Sequence, residues 1–98
     1  MEYTAIFKLK KMLEEANIPY KDFRYMGMQK GYQVILNDNI DAVQHSFSYG
    51  NTSDLLEIMG GLTKEEYEVD TILGCLTAEE VFKRFKYCYE NNTMFYKE

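Results

Sequence analysis

"NTSDLLEIMGGLTKEEYEVDTILGCLTAEE", from Asn51 to Glu80, decides how the second half of this 98-residue chain folds. Inside it the pattern G-x-L-T-x-E-E occurs twice, at 60–66 and at 74–80. Helix physics accounts for the fixed positions. Thr63 and Thr77 are N-caps, Glu66 and Glu80 fall at N3, and each pair makes a capping box. Leu62 and Leu76 precede the caps and are placed to staple onto Tyr67 and Val81. Glu65 and Glu79 lie in the first turn, where the helix dipole favours negative charge. Gly60 and Gly74 suit the left-handed position that ends a preceding helix. The stretch therefore reads as helices in series: "NTSDLLEIM" ending at Gly60, a second from Lys64 to Leu73, and a third from Ala78 to Asn91.

Upstream, residues 4–16 form an amphipathic pattern, with Ala5, Ile6, Leu9, Met12, Leu13 and Ala16 inside an arc of roughly 120°. Asn17 can take the left-handed closing conformation, and Pro19 cannot continue the helix. Three strand candidates follow, at 20–26, 32–36 and 40–49, separated by "GMQKG" and "NDN" turns. In the third, Val43, His45, Phe47 and Tyr49 share one face and Gln44, Ser46 and Ser48 the other. The expected architecture is α+β and single-domain over 1–98. An N-terminal helix packs on a three-stranded antiparallel meander, and three short C-terminal helices follow.

The net charge of −5 is unevenly placed. Residues 51–80 carry eight acids against Lys64 alone, whereas residues 1–50 balance six acids with six bases. An acidic middle disfavours direct nucleic-acid binding and docking on anionic membranes. No run approaches the roughly 18 apolar residues of a spanning helix, and charges interrupt every apolar pair in "MEYTAIFKLKKMLEEA", so a cytoplasmic location is expected. Cys75 and Cys88 read as small buried hydrophobes, and with His45 they are too scattered for a zinc site. No metal or other cofactor is expected.

Paired carboxylates at Glu65/Glu66 and Glu79/Glu80 could suggest acid–base chemistry, but first-turn acids on exposed caps stay ionised. His45 stands alone, and the neighbouring serines point away from it. The aromatics say more. On the expected helices, Tyr67 and Tyr87 project from the apolar stripe into acidic surroundings, as aromatic anchors of binding surfaces do. The protein-binding candidates are Glu57, Glu65, Glu66, Tyr67, Glu68, Asp70, Glu79, Glu80 and Tyr87. An alternative small-ligand or nucleotide site would use Arg24, Lys30, His45 and Tyr49, between the sheet and the later helices.

From Gly31 to Phe85, "SYG" before "LLEIMG", followed by the "LTKEE" and "LTAEEVF" helix starts, resembles small phage- and prophage-encoded proteins of Gram-positive gut bacteria. The resemblance covers a little over half the chain. It implies a mobile-element accessory protein inside a bacterium and brings no activity to transfer. The expected function is thus a small, acidic, non-enzymatic module that binds and modulates a host or phage protein. An anti-defence role by nucleic-acid mimicry fits that description. A minor phage structural protein, assembling with itself, is the remaining alternative.

Overall fold

Helix α1 spans Ala5–Glu15 in the computed structural model, which describes residues 2–98. It buries Ala5, Ile6, Leu9 and Leu13 along one stripe. The chain leaves it through Asn17 at φ 57°, and the Ile18 N–H donates back to the Leu13 carbonyl at 2.9 Å. This is the left-handed closure that asparagine tolerates.

Five strands then form one antiparallel sheet in simple chain order: β1 (Asp22–Met26), β2 (Gly31–Asn37), β3 (Ile40–Gln44), β4 (Leu56–Met59) and β5 (Ile72–Leu76). Helix α2 (Lys64–Val69) joins β4 to β5, and α3 (Ala78–Asn91) follows β5. The chain is α+β, but the three-stranded meander with three trailing helices is overturned. The sheet gains two strands from the stretch expected to be helical.

The first correction is at "LLEIM". Leucine, glutamate and methionine are good helix formers, yet Leu56 and Ile58 alternate with Glu57 and Met59. Pairing of Ala42 with Ile58 and Val43 with Glu57 gives β3 a second neighbour and buries both Leu56 and Ile58. Helix propensity differences are a few tenths of a kcal/mol per residue, whereas burying each of these side chains contributes about 1.5–3 kcal/mol. Burial wins. The segment before β4 retains only one 3-10 turn, Asn51–Ser53, flanked by Gly50 at φ 91° and Asp54 at φ 56°.

The second correction is at "EVDTILGCL". Instead of running to Leu73, α2 ends when Asp70 becomes extended, its carboxylate accepting the Ile72 N–H at 3.2 Å. Val69, expected on a core face with Ile72 and Leu73, is 89% exposed. Ile72 and Leu73 instead pair with Met59 and Ile58. Cys75, at φ 60°, then makes a bulge that sets Leu76 opposite Leu56 and buries it. Gly74 is required there, because a Cβ would stand 2.3 Å from that of Tyr49. The repeated heptapeptide thus marks two strand-to-helix junctions.

The third strand is also shorter than expected. It stops at Gln44, and residues 45–49 turn, with the Ser48 hydroxyl bonding the His45 N–H and carbonyl at 3.0 Å each.

One layer of helix covers one face of the sheet. Val34, Leu36, Ala42, Leu56, Ile58 and Leu76 pack with Ile6, Leu9 and Leu13 of α1 and Val81, Phe85 and Cys88 of α3. The strand residues of opposite phase, including Gln33, Ile35, Asp41, Glu57 and Met59, take no part in that core. Burial pushes the Cys88 thiol up to about 11, so it is an inert packing group, whereas Cys75 is exposed.

The N-terminus of α1 is satisfied from a distance. Thr4 makes no side-chain cap; the Asp54 carboxylate accepts from the Thr4 and Ala5 N–H groups at 2.8 and 3.1 Å and from the Thr4 hydroxyl. Gln44, fully buried, accepts the Ile6 N–H at 3.0 Å and donates its amide to Asp54. Burial alone would raise the Asp54 pKa, but these donors outweigh it and hold it at about 2, against an ordinary 3.8. Replacing Asp54 by Ala should cost about 1–2 kcal/mol in urea unfolding. A carboxylate with a depressed folded pKa stabilises above its unfolded value. The difference between wild type and D54A should therefore be largest above pH 3.8 and narrow as the pH falls through about 2, leaving the pH-independent cost of alanine at φ 56°. A difference that does not change with pH would contradict the assignment.

Candidate functional site

The expected acidic surface divides into engaged and free carboxylates. Glu66 is engaged three ways. It closes the Thr63 capping box, with Thr63 N–H to Oε1 at 2.8 Å, and receives Arg84 from α3 in a two-pronged ion pair at 2.7 and 3.1 Å. The Arg84 guanidinium also donates to the Gly61 carbonyl at 3.1 Å and lies 4.9 Å from the Tyr96 ring centre. The Arg84 bond, above all, holds the Glu66 carboxyl below its ordinary value. Glu79 pairs with Lys8 of α1, Glu80 closes the Thr77 capping box, and Glu57 accepts the Tyr49 N–H at 3.0 Å.

Glu65, Glu68 and Asp70 remain solvent-facing around α2. Asp70 bonds only its local turn. No residue of α2 is fully buried. Tyr67 is 40% exposed with its ring edge-on to Phe95 at 5.5 Å, and Val69, on another side of the helix, stands in solvent. The helix is therefore pinned at its first turn by Glu66 and presents a tyrosine and a valine among three acids.

Tyr87 does not project as the helical wheel implied. The chain after α3 folds back and pairs beside Gly61 and Leu62: the Gly61 N–H donates to the Met94 carbonyl at 2.7 Å, and the Tyr96 N–H to the Leu62 carbonyl at 2.8 Å. That strap buries Tyr96, whose ring meets Tyr87 edge-on at 5.5 Å and leaves Tyr87 half-buried. Tyr89 is the exposed tyrosine of α3. Tyr87, Phe95, Tyr96, Lys64 and Asn91 line a cleft of about 730 Å³ beneath the strap. The one signal of this segment in the sequence is the run of three apolar residues Met94, Phe95 and Tyr96.

The four residues of the alternative ligand site do not converge. Arg24 and Lys30 line separate clefts, and His45 and Tyr49 line neither of them. The His45 Nδ1 accepts the Phe47 N–H at 3.1 Å, which commits the imidazole to its own turn. Of the paired carboxylates, Glu66 is held below its ordinary pKa by Arg84 and Glu79 by Lys8, which opposes a general-acid role for these two.

Two groupings escaped the sequence reading. Phe7, Phe23, Tyr25 and Tyr32 form an aromatic cluster where β1 extends beside α1, with Phe23 and Tyr32 stacked at 5.8 Å. On the uncovered side of the sheet, the Gln33 amide donates to the Asp41 carboxylate at 2.6 Å, and burial raises the Asp41 pKa. Both follow from period-2 alternation combined with strand register, and register cannot be read from one strand. No protein-family model, curated protein or solved structure matches the chain.

Replacing Arg84 by Lys keeps the charge but removes the fork that grips Glu66. Amide hydrogen exchange should show α2 opening about tenfold more often or faster, with the centre of α3 unchanged. Unaltered protection in α2 would contradict the pinning role.

Proposed function

We propose that the chain is a small acidic protein-binding module whose docking face is α2. The observation that carries this reading is a helix without a buried residue that is nevertheless capped and gripped by Arg84. An unpacked six-residue helix gains little from propensity alone, so its order is maintained by specific bonds. What it displays is Glu65, Glu68 and Asp70 in solvent, with Tyr67 and Val69 exposed among them on different sides of the helix. The matching partner is a protein surface rich in lysine and arginine, of the kind that binds nucleic-acid phosphates. The resemblance of residues 31–85 to phage and prophage proteins, read from the sequence alone, is what would put that partner inside a bacterial host.

Mutation of Glu65, Glu68 and Asp70 to Lys should abolish capture of that partner from bacterial lysate. The same number of reversals at Glu2, Glu14 and Glu15 should leave capture intact. Capture by wild type should also weaken steeply as salt rises. Identical partner profiles for wild type and the α2 variant would sink the reading.

A further inference from the structure

The two edges of the sheet are unlike. β5 is bulged at Cys75, which stands at φ 60° and gives its N–H to the Tyr49 carbonyl at 3.2 Å. A bulge of this kind turns an edge away from further pairing. β5 also belongs to the acidic stretch 51–80, so a second copy placed there would meet like charge. β1 has neither safeguard. Its five residues, Asp22–Met26, pair with β2 in unbroken register and include no proline or glycine. Among the described residues no strand lies on its other side, so alternate backbone N–H and C=O groups of β1 face outward unpaired.

The side chains of β1 are as open as its backbone. α1 packs on β2 and β3, so the aromatic cluster of Phe7, Phe23, Tyr25 and Tyr32 overhangs the edge. Within it Phe7 is 42% and Tyr25 60% exposed. On the helix-free side of the same strand, Asp22 and Arg24 are both exposed, and neither forms an ion pair with any described residue.

Those two charges identify the occupant and its register. A second β1 laid antiparallel across a two-fold axis normal to the sheet must set residues that share a face opposite one another. The axis therefore passes through a residue of the strand. Centred on Asp22 or on Arg24, it would set that charge against itself. Centred on Phe23, it sets Asp22 of each copy opposite Arg24 of the other, and the two Phe23 side chains meet on the axis. The charge pair is then made twice, as an isologous contact requires.

We propose that β1 is a homodimer edge, through which two copies join into one continuous antiparallel sheet with Asp22 of each opposite Arg24 of the other. Both helix layers lie on the same side of that sheet, and the two aromatic clusters close the gap between the α1 helices. The acidic α2 helices, which join β4 to β5, fall at the two far ends, where their charges stay apart. The inference rests on β1 and is independent of the α2 reading. Its consequence for that reading is two acidic helices on one particle, which raises the apparent affinity for a partner with repeated basic sites.

Sedimentation equilibrium of the full chain, across a micromolar concentration series, tests the proposal. One short strand and a few aromatic rings make a small contact, so wild type should show a reversible monomer–dimer equilibrium. D22R and R24D each oppose like charges and should raise the dissociation constant about tenfold or more. The combined D22R/R24D variant should recover dimerisation, because the pairs are restored with reversed polarity. M59K, on the helix-free face, should leave the dimer intact. Amide hydrogen exchange gives a second readout that needs no variant: with rising concentration, protection should grow at alternate residues of β1 and stay constant in β5. A wild type that stays monomeric throughout, leaving β1 to a strand of some other protein, would overturn the proposal. So would a dimer insensitive to D22R and R24D, a double variant no tighter than its parents, a dimer dissociated by M59K, or added protection in β5.

Discussion

The Asp54 carboxylate at the N-terminus of α1 is the constraint on which the rest of the fold depends. It satisfies two backbone N–H groups that the helix leaves unpaired and is itself fixed by the buried Gln44 amide at the end of β3. Three distant parts of the chain meet there: the helix start, the last residue of the third strand, and the left-handed turn before β4. Because Gln44 is fully buried, both ends of its amide need partners, and Ile6 and Asp54 supply them. Without that arrangement α1 would lose its register over the sheet. The turn that feeds β4 beside β3 would lose its anchor.

A second fixed point sits at the opposite end of the chain, where Arg84 of α3 joins the α2 capping box and the Gly61 carbonyl. Capping boxes usually terminate a helix that already packs by its apolar face. Here the box at Thr63 begins a helix with no such face, and a cation from α3 substitutes for packing. The identical motif at Thr77 opens α3, which buries Ala78, Val81, Phe85 and Cys88. The same local chemistry therefore serves a core helix and a surface one, and what differs is the tertiary environment.

How much was legible in the sequence follows from this. Both threonine caps and the span of α3 depend on bonds within four residues, and motif and periodicity reveal them; the stripe of α1 is legible in the same way, but its start is held by the distant Asp54. β4 and β5 could not be seen the same way. Leu55 to Met59 is composed of helix formers, and only pairing with β3 decides for strand. Ile72 and Leu73 continue the apolar spacing of α2, and only Asp70 and the bulge at Cys75 redirect them. The acidic patch at Glu65, Glu68 and Asp70 was legible as charge. That Glu66, Glu79 and Glu80 are engaged elsewhere was visible only in part, through the caps. Tyr87 was misjudged because a helical wheel omits the strap of residues 94–96 that covers it.

The acidic face of α2 is held by the second of these fixed points, and the place of α1 over the sheet by the first. The most direct measurement of it is a double-mutant cycle between Asp54 and Gln44, using D54A, Q44M and the pair in urea unfolding. The cooperative network predicts a coupling of at least about 0.5 kcal/mol, the double variant losing less than the sum of the singles. Losses that add to within about 0.3 kcal/mol would mean the two side chains act separately, and would contradict the account.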